Sequence, residues 1–415
     1  MRSHGAVRML VSEPERAGRG ADALFWAVGV SAAGDGLRFT AFPLMAVAMT
    51  DSPSAIALVS ALGTLPWLVL GLPAGLYADR YDRFGIMIAA DVARIAVLGF
   101  AVALVVTHTL TFELLLVLAA VMGVGEVVFD CAALAVIPTL VPPHRIAWAS
   151  GRFIAAHTGG KDLVGYALAG PLFALSRAAP LVADALTFAG SALVVSRLRR
   201  QVGPAAPRTA SPGVLAELRQ GVPALLGDPR MASLTGIAAA LNLVFLGQVS
   251  VMAVFVVKVL KVAPEMLGIL LLVGAVGGVC GSLVAARAWA ALGDLRTLLL
   301  SLATAGLASA AIAVGDLWTV CACLFLGGLA SSVYHVVAGA VRLTIIPDEL
   351  LGRTAGAYRM FTWGAMPLGA LCYGLMAQVW GLGWPFVVGG LLIVGLAPVC
   401  VAAFRGSDIR AGARA

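Results

Sequence analysis

The chain has 415 residues, 61% of them hydrophobic and only 12% charged, with a mean hydropathy of +0.99. Soluble globular domains run near half apolar and a quarter charged, so a soluble fold is excluded, and so are disorder, collagen and disulfide scaffolds. The net charge of +7 would suggest a nucleic-acid partner in a soluble protein, but here the distribution of the basic residues matters more, because those in short loops set membrane orientation.

Residues 1–22 are polar, carry Arg2, Arg8, Arg16 and Arg19, and lack the short apolar core of a cleaved signal peptide; they read as a cytoplasmic tail. Apolar runs broken by Gly, Pro or charge then predict an all-α membrane protein of twelve spans. The first six lie near 24–49, 53–78, 84–106, 112–138, 147–174 and 180–197. The stretch 198–230 interrupts the pattern with an Arg-rich, Pro-bearing linker that ends in an amphipathic piece from Gly213 to Leu226. Six more spans follow near 231–256, 264–287, 295–314, 317–345, 354–378 and 384–404, and residues 405–415 form a second tail. Two six-helix bundles, 23–197 and 231–404, are therefore expected. An even number of spans puts both termini on one side. That side holds 19 of the 28 Lys and Arg residues, and the other holds three, Arg177, Lys258 and Lys261. Both termini are predicted to be cytoplasmic.

The halves resemble each other. Gly75 and Gly281 are 206 residues apart, and Gly123 and Gly328 are 205 apart. Pro142-x-x-x-Ile146 with Gly151 recurs 205 residues later as Pro347-x-x-x-Leu351 with Gly356. Parallel six-span repeats are one of the transporter architectures. The same offset matches Asp130 with His335 and Phe129 with Tyr334.

Ionisable side chains inside a span are costly unless paired or wetted, so each is a functional candidate. Asp35 and Arg38 sit three apart in the first span, and Asp91 and Arg94 repeat that spacing in the third. Either pair is a self-neutralising packing unit or part of a working site. Glu126 and Asp130 share a face of the fourth span with no base close in sequence, and Lys161-Asp162 lies in the fifth, one turn after His157. Counting Asp35, Glu126, Asp130 and Asp162 against Arg38 and Lys161 leaves at least one carboxylate without a fixed cation. Such a group suits proton loading, or stays permanently protonated as a packing element. The six Cys fall in apolar stretches and read as small buried side chains. No nucleophile motif, H-E-x-x-H or phosphate-binding Gly-rich loop is present, and no cofactor or metal is expected.

The loop Gly75-Leu-Tyr-Ala-Asp79-Arg80-Tyr-Asp82-Arg83-Phe84-Gly85 resembles the signature G-x-x-x-D-R-x-x-R-[RK] of the major facilitator superfamily. Gly34-Asp35-Gly36-Leu37, Leu65-Pro66, Ala90-Asp91-x-x-Arg94 and Ile137-Pro138-x-Leu140-Val141-Pro142 resemble its drug:proton antiporter branch. So do Pro347-Asp348-x-x-x-Gly352-Arg353 and Trp363-Gly-Ala-Met-Pro367-Leu-Gly369. That branch includes macrolide-efflux proteins and the enterobactin exporter. The resemblance implies a monomeric exporter in the plasma membrane, with lipid, protons and a small amphipathic molecule as partners and no nucleic acid. It implies a conformational latch built from Gly75, Asp79, Arg80 and Arg83, with Phe84 replacing a usual second basic residue. The first, fourth, seventh and tenth spans of that fold line a central cavity, which nominates Phe39, Phe129, Asn242 and Tyr334 as lining residues, with Trp363 of the eleventh span beside them. Asp130 and His335 would face each other there as proton-coupling groups. Two departures stand out: the fourth span is acidic where many relatives have Arg, and Gly165-Tyr-Ala-Leu-Ala-Gly170-Pro171 replaces a Gly-Pro-Pro-Leu-Gly-Gly bend, which predicts a shifted bend in the fifth span.

Overall fold

A computed structural model of the chain describes residues 4–203, 222–223, 225–346 and 351–404. Most of the amphipathic piece expected from Gly213 to Leu226, the Pro347-Asp348 motif and the tail 405–415 lie outside the described residues. Every regular element among the described residues is helical. Those of the first half are α1 (His4–Val47), α2 (Pro53–Arg80), α3 (Arg83–Val106), α4 (Phe112–Leu140), α5 (Ile146–Thr158), α6 (Tyr166–Leu175) and α7 (Ala179–Val202). The second half holds α8 (Pro229–Lys258), α9 (Met266–Leu292), α10 (Asp294–Ala311), α11 (Leu317–Ile345), α12 (Leu351–Trp380), α13 (Trp384–Gly395) and α14 (Ala397–Phe404).

These helices follow from composition. Long Leu-, Val- and Ala-rich runs carry few polar side chains, and in hydrocarbon every backbone N–H and C=O must be satisfied within the helix itself. Among the described residues ten helical stretches are long and apolar enough to cross a membrane. The expected first and fifth spans are not among them. α1 carries Asp35 and Arg38 within its apolar part, and it begins at His4, so the expected tail joins the first span as continuous helix. The fifth is divided into α5 and α6, of 13 and 10 residues, by a seven-residue π-helical segment, Gly159–Gly165. The π segment lies ahead of Pro171, which sits inside α6. Single π turns are uncommon and concentrate at functional sites. Side-chain caps mark several starts: Thr111 accepts from Leu114 N–H, Asp228 from Arg230 and Met231, and Asp316 from Thr319. The Arg230 guanidinium and backbone amide hold the Asp228 carboxyl below its usual range.

The chain divides into two compact units, one of residues 1–51, 58–214 and 263–272, the other of 52–57, 215–262 and 273–415. In the first, α1 packs against α7, the π segment, α4, α5 and α6, and α3 bridges α7 and α4. In the second, α12 packs along α8, and α10 lies against α11 and α13. The repeat is visible at one pair of glycines. A Cβ on Gly123 would strike the carbonyl of Gly63, and a Cβ on Gly328 would strike that of Gly274, so in each unit two backbones approach as only glycine permits. Gly75 and Gly281 do not match in this way: the first has open space, and the second lies against Leu329.

The cysteines depart from expectation. Cys323 and Cys400 are buried, but Cys372 is exposed and Cys131, Cys280 and Cys321 are only partly covered. All six are free thiols. Exposure to lipid carries little cost for so apolar a side chain.

Candidate functional site

Six charged residues of the first unit form one buried chain of ion pairs. From α3, Asp91 Oδ1 meets Arg94 Nη2 at 2.5 Å. Arg94 Nη1 reaches Asp35 Oδ2 of α1 at 3.3 Å, and its Nη2 also donates to Ser31 Oγ at 3.3 Å. Asp35 Oδ1 accepts from Arg38 Nη2 at 2.8 Å, and the same nitrogen holds Glu126 Oε2 of α4 at 2.8 Å. Glu126 Oε1 accepts from Lys161 Nζ of the π segment at 2.7 Å. Three acids and three bases alternate across four elements, which is how buried charge avoids the cost of standing alone. Aromatic faces complete the shell. The Arg94 guanidinium lies between Phe129 at 4.8 Å and Phe188 at 3.9 Å, while Lys161 sits 5.4 Å from Phe39, itself stacked on Tyr166.

This arrangement revises three sequence expectations. Glu126, with no base near in sequence, has two cations in space. Lys161 does not close on its neighbour Asp162 but on Glu126, because adjacent helical residues point to different faces. Arg94 is not confined to Asp91; it crosses to α1 and joins the two i,i+3 pairs into one network. Asp162 instead hydrogen-bonds Tyr166 one turn on. Asp130 stands apart from the chain, with His157 Nε2 at 3.3 Å.

One buried acid escaped the sequence count. Asp184 of α7 is fully buried, and the closest cation given by ion-pair geometry is Arg38 Nε at 3.9 Å. The signal was present: an Asp inside the 180–197 apolar run is an intramembrane acid by the same rule applied to the others.

A small cavity of about 30 Å³ opens against this cluster. Arg38, Glu126 and Lys161 form its charged wall, Phe39 and Phe42 its aromatic wall, and Ser60 and Thr64 of α2 supply hydroxyls. Of the nominated lining residues, Phe39 is placed there. Phe129 and Tyr334 are not: both are fully buried, Phe129 beneath Arg94 and Tyr334 with its hydroxyl donating to Leu234 O at 3.1 Å. Asn242 Nδ2 donates to Thr362 O at 3.1 Å and ties α8 to α12, and the Trp363 ring lies 6.0 Å from the Arg359 guanidinium.

His335 belongs to the second unit, where its Nδ1 donates to Ser331 O at 2.8 Å. Among the described residues α8 to α14 hold no Asp or Glu except Asp294, which opens α10. The buried acids among the described residues all belong to the first unit.

In the signature loop Arg83 is buried, donates from Nε to Ala78 O at 3.2 Å, and approaches Asp79 at 3.6 Å. Arg80 is exposed, and Asp82 takes Arg199 Nε of α7 at 2.8 Å. Phe84 is fully buried in an apolar cluster with Phe129, Ile137 and Phe153, which explains an aromatic where a basic residue is usual.

Ten apolar helices and a chain of buried ion pairs beside a cavity define an integral membrane transporter. Residues 21–410 match the transmembrane secretion effector model of the major facilitator superfamily, and the chain belongs to that family. It is 26% identical over 405 residues to the multidrug efflux pump Tap of Mycolicibacterium fortuitum, covering 93% of this chain and 96% of that one. Its fold is similar to a bacterial homologue of the iron transporter ferroportin in an inward-facing state, with TM-score 0.73, 15% identity, and 93% and 98% of the two chains covered. It is also similar to the nucleoside transporter NupG, with TM-score 0.70, 17% identity, and 94% and 100% covered. These relatives are transporters, and the chain is a multi-pass membrane transporter rather than an enzyme.

Proposed function

We propose that the protein exports a small amphipathic organic molecule across the cytoplasmic membrane in exchange for protons. It does so as a monomer of twelve spans in two six-helix bundles joined by a cytoplasmic linker, with both termini in the cytoplasm. The observation that carries this reading is the position of Glu126. It shares the cavity wall with Arg38 and Lys161 while belonging to a buried charge network, so cargo in the cavity and protonation of the network act on the same side chains. Export, rather than uptake, is supported by the similarity to a multidrug efflux pump.

The chemistry follows from charge balance. Protonating Glu126 removes the partner of Lys161 and one partner of Arg38, which weakens the tie between α4, α1 and the π segment. Deprotonation restores it. A network that alternates between tied and loosened states can bias two conformations of a rocking transporter. Asp35 and the Asp130–His157 pair are further coupling candidates in this unit, Asp162 is held by Tyr166, and His335 is the candidate from the second. Asp79 with Arg80 and Arg83 acts as the conformational latch. Phe39 and Phe42 offer flat apolar surface to the cargo.

Expression in an efflux-deficient host, followed by susceptibility and accumulation screening of antibiotics and dyes, tests the reading. Lowered intracellular accumulation of at least one amphipathic compound, abolished by Glu126→Gln, is expected. Raised accumulation would instead mark an uptake carrier.

A further inference from the structure

Asp184 breaks the charge balance of the network beside it. The chain from Asp91 to Lys161 is neutral, with three carboxylates alternating with three cations. Asp184 adds a fourth carboxylate. It is 0% exposed, and neither Oδ1 nor Oδ2 accepts a hydrogen bond. The charged groups turned toward it are Asp35 and Arg38 from α1, Arg94 from α3 and Glu126 from α4; α6, which also packs on α7, contributes none. Asp91, also of α3, is held by Arg94 Nη2. Both Arg residues are already engaged by carboxylates, yet Arg38 Nε is itself a buried donor without an acceptor, 3.9 Å from Asp184 Oδ2. An anionic carboxylate closed off from water and from donors is far costlier than the neutral acid.

We propose that Asp184 holds the transported proton in this conformation and that Arg38 is the arm that releases it. This rests on the proton-coupled reading above. When Arg38 swings its guanidinium from Glu126 onto Asp184, the Asp184 O–H bond breaks as the carboxylate gains its cation. Glu126, losing that cation, forms the new O–H bond at the cavity wall. One proton leaves the closed site, one arrives at a carboxylate that lines the cavity, and the charge of the cluster is unchanged. Gly34 fits this placement, since a Cβ there would collide with Asp184 Oδ1 and Thr187 Oγ1 and drive the carboxyl from its slot.

Infrared spectroscopy of the purified full-length protein at neutral pH tests this without any cargo. A protonated carboxylic acid has a carbonyl stretch separate from carboxylate and amide bands and shifted by deuterium exchange. The wild-type spectrum should contain a component of this kind that is lost in Asp184→Asn and retained in Asp130→Asn. If Asp184→Asn does not fold, Glu126→Gln serves. Removing one acid leaves three acids for three cations, so Asp184 ionises and the same component disappears. Acid-region bands unchanged in whichever of these variants folds would overturn the proposal. Proton-driven dye accumulation by the wild type, measured separately in vesicles, reports on the broader reading whatever the infrared result.

Discussion

Lys161 Nζ lies 2.7 Å from Glu126 Oε1, joining the π-helical segment of the fifth span to the fourth. The π segment sets where this side chain emerges, and Arg38 holds the other oxygen of the same carboxylate. Removing one partner of a buried pair leaves an uncompensated charge and costs about 3–5 kcal/mol, whereas replacing both with apolar groups is often near neutral. Lys161→Met should therefore lower the midpoint of thermal inactivation more than the double variant Lys161→Met/Glu126→Leu does. The measurement is thermal loss of monodisperse protein in detergent. Equal losses in the two would show that the pair is not coupled.

Asp79→Asn should insert and express normally, because the change is isosteric and lies at a helix end, yet cut transport several-fold. The ion pair with Arg83 is then lost while the Arg83–Ala78 hydrogen bond remains. Wild-type transport at equal surface expression would remove the latch role.

Gly34→Ala should destabilise the first unit by displacing Asp184 and Thr187, in contrast to Gly99→Ala and Gly151→Ala, where a Cβ meets nothing within 4 Å. Overpacking of this kind costs about 1–3 kcal/mol. Thermal inactivation of the three variants side by side measures it, and equal midpoints would contradict the close approach of α1 to α7.

Much of this was legible in the sequence, and the reasons differ by residue. Hydropathy located the helices because span length is set by bilayer thickness, and the 205-residue offset between Gly123 and Gly328 found a real structural equivalence. The charged residues were found one by one, but not their partners. Arg94 pairs with Asp35 across 59 positions and Lys161 with Glu126 across 35, distances over which no helical spacing rule operates. Asp184 was visible and uncounted. Tyr334 and Phe129 were placed in a cavity by analogy of span number, whereas the side of each helix that faces inward is decided by packing.

Proton-coupled export is tested most directly in inside-out vesicles from cells expressing the protein, with a dye chosen from the accumulation screen supplied outside them. An imposed acidic interior should drive the dye into the vesicle against its gradient, a protonophore should abolish this, and Glu126→Gln should show no uphill movement while still binding dye. Accumulation that persists after the proton gradient is collapsed, or that is equal in Glu126→Gln and wild type, would contradict it.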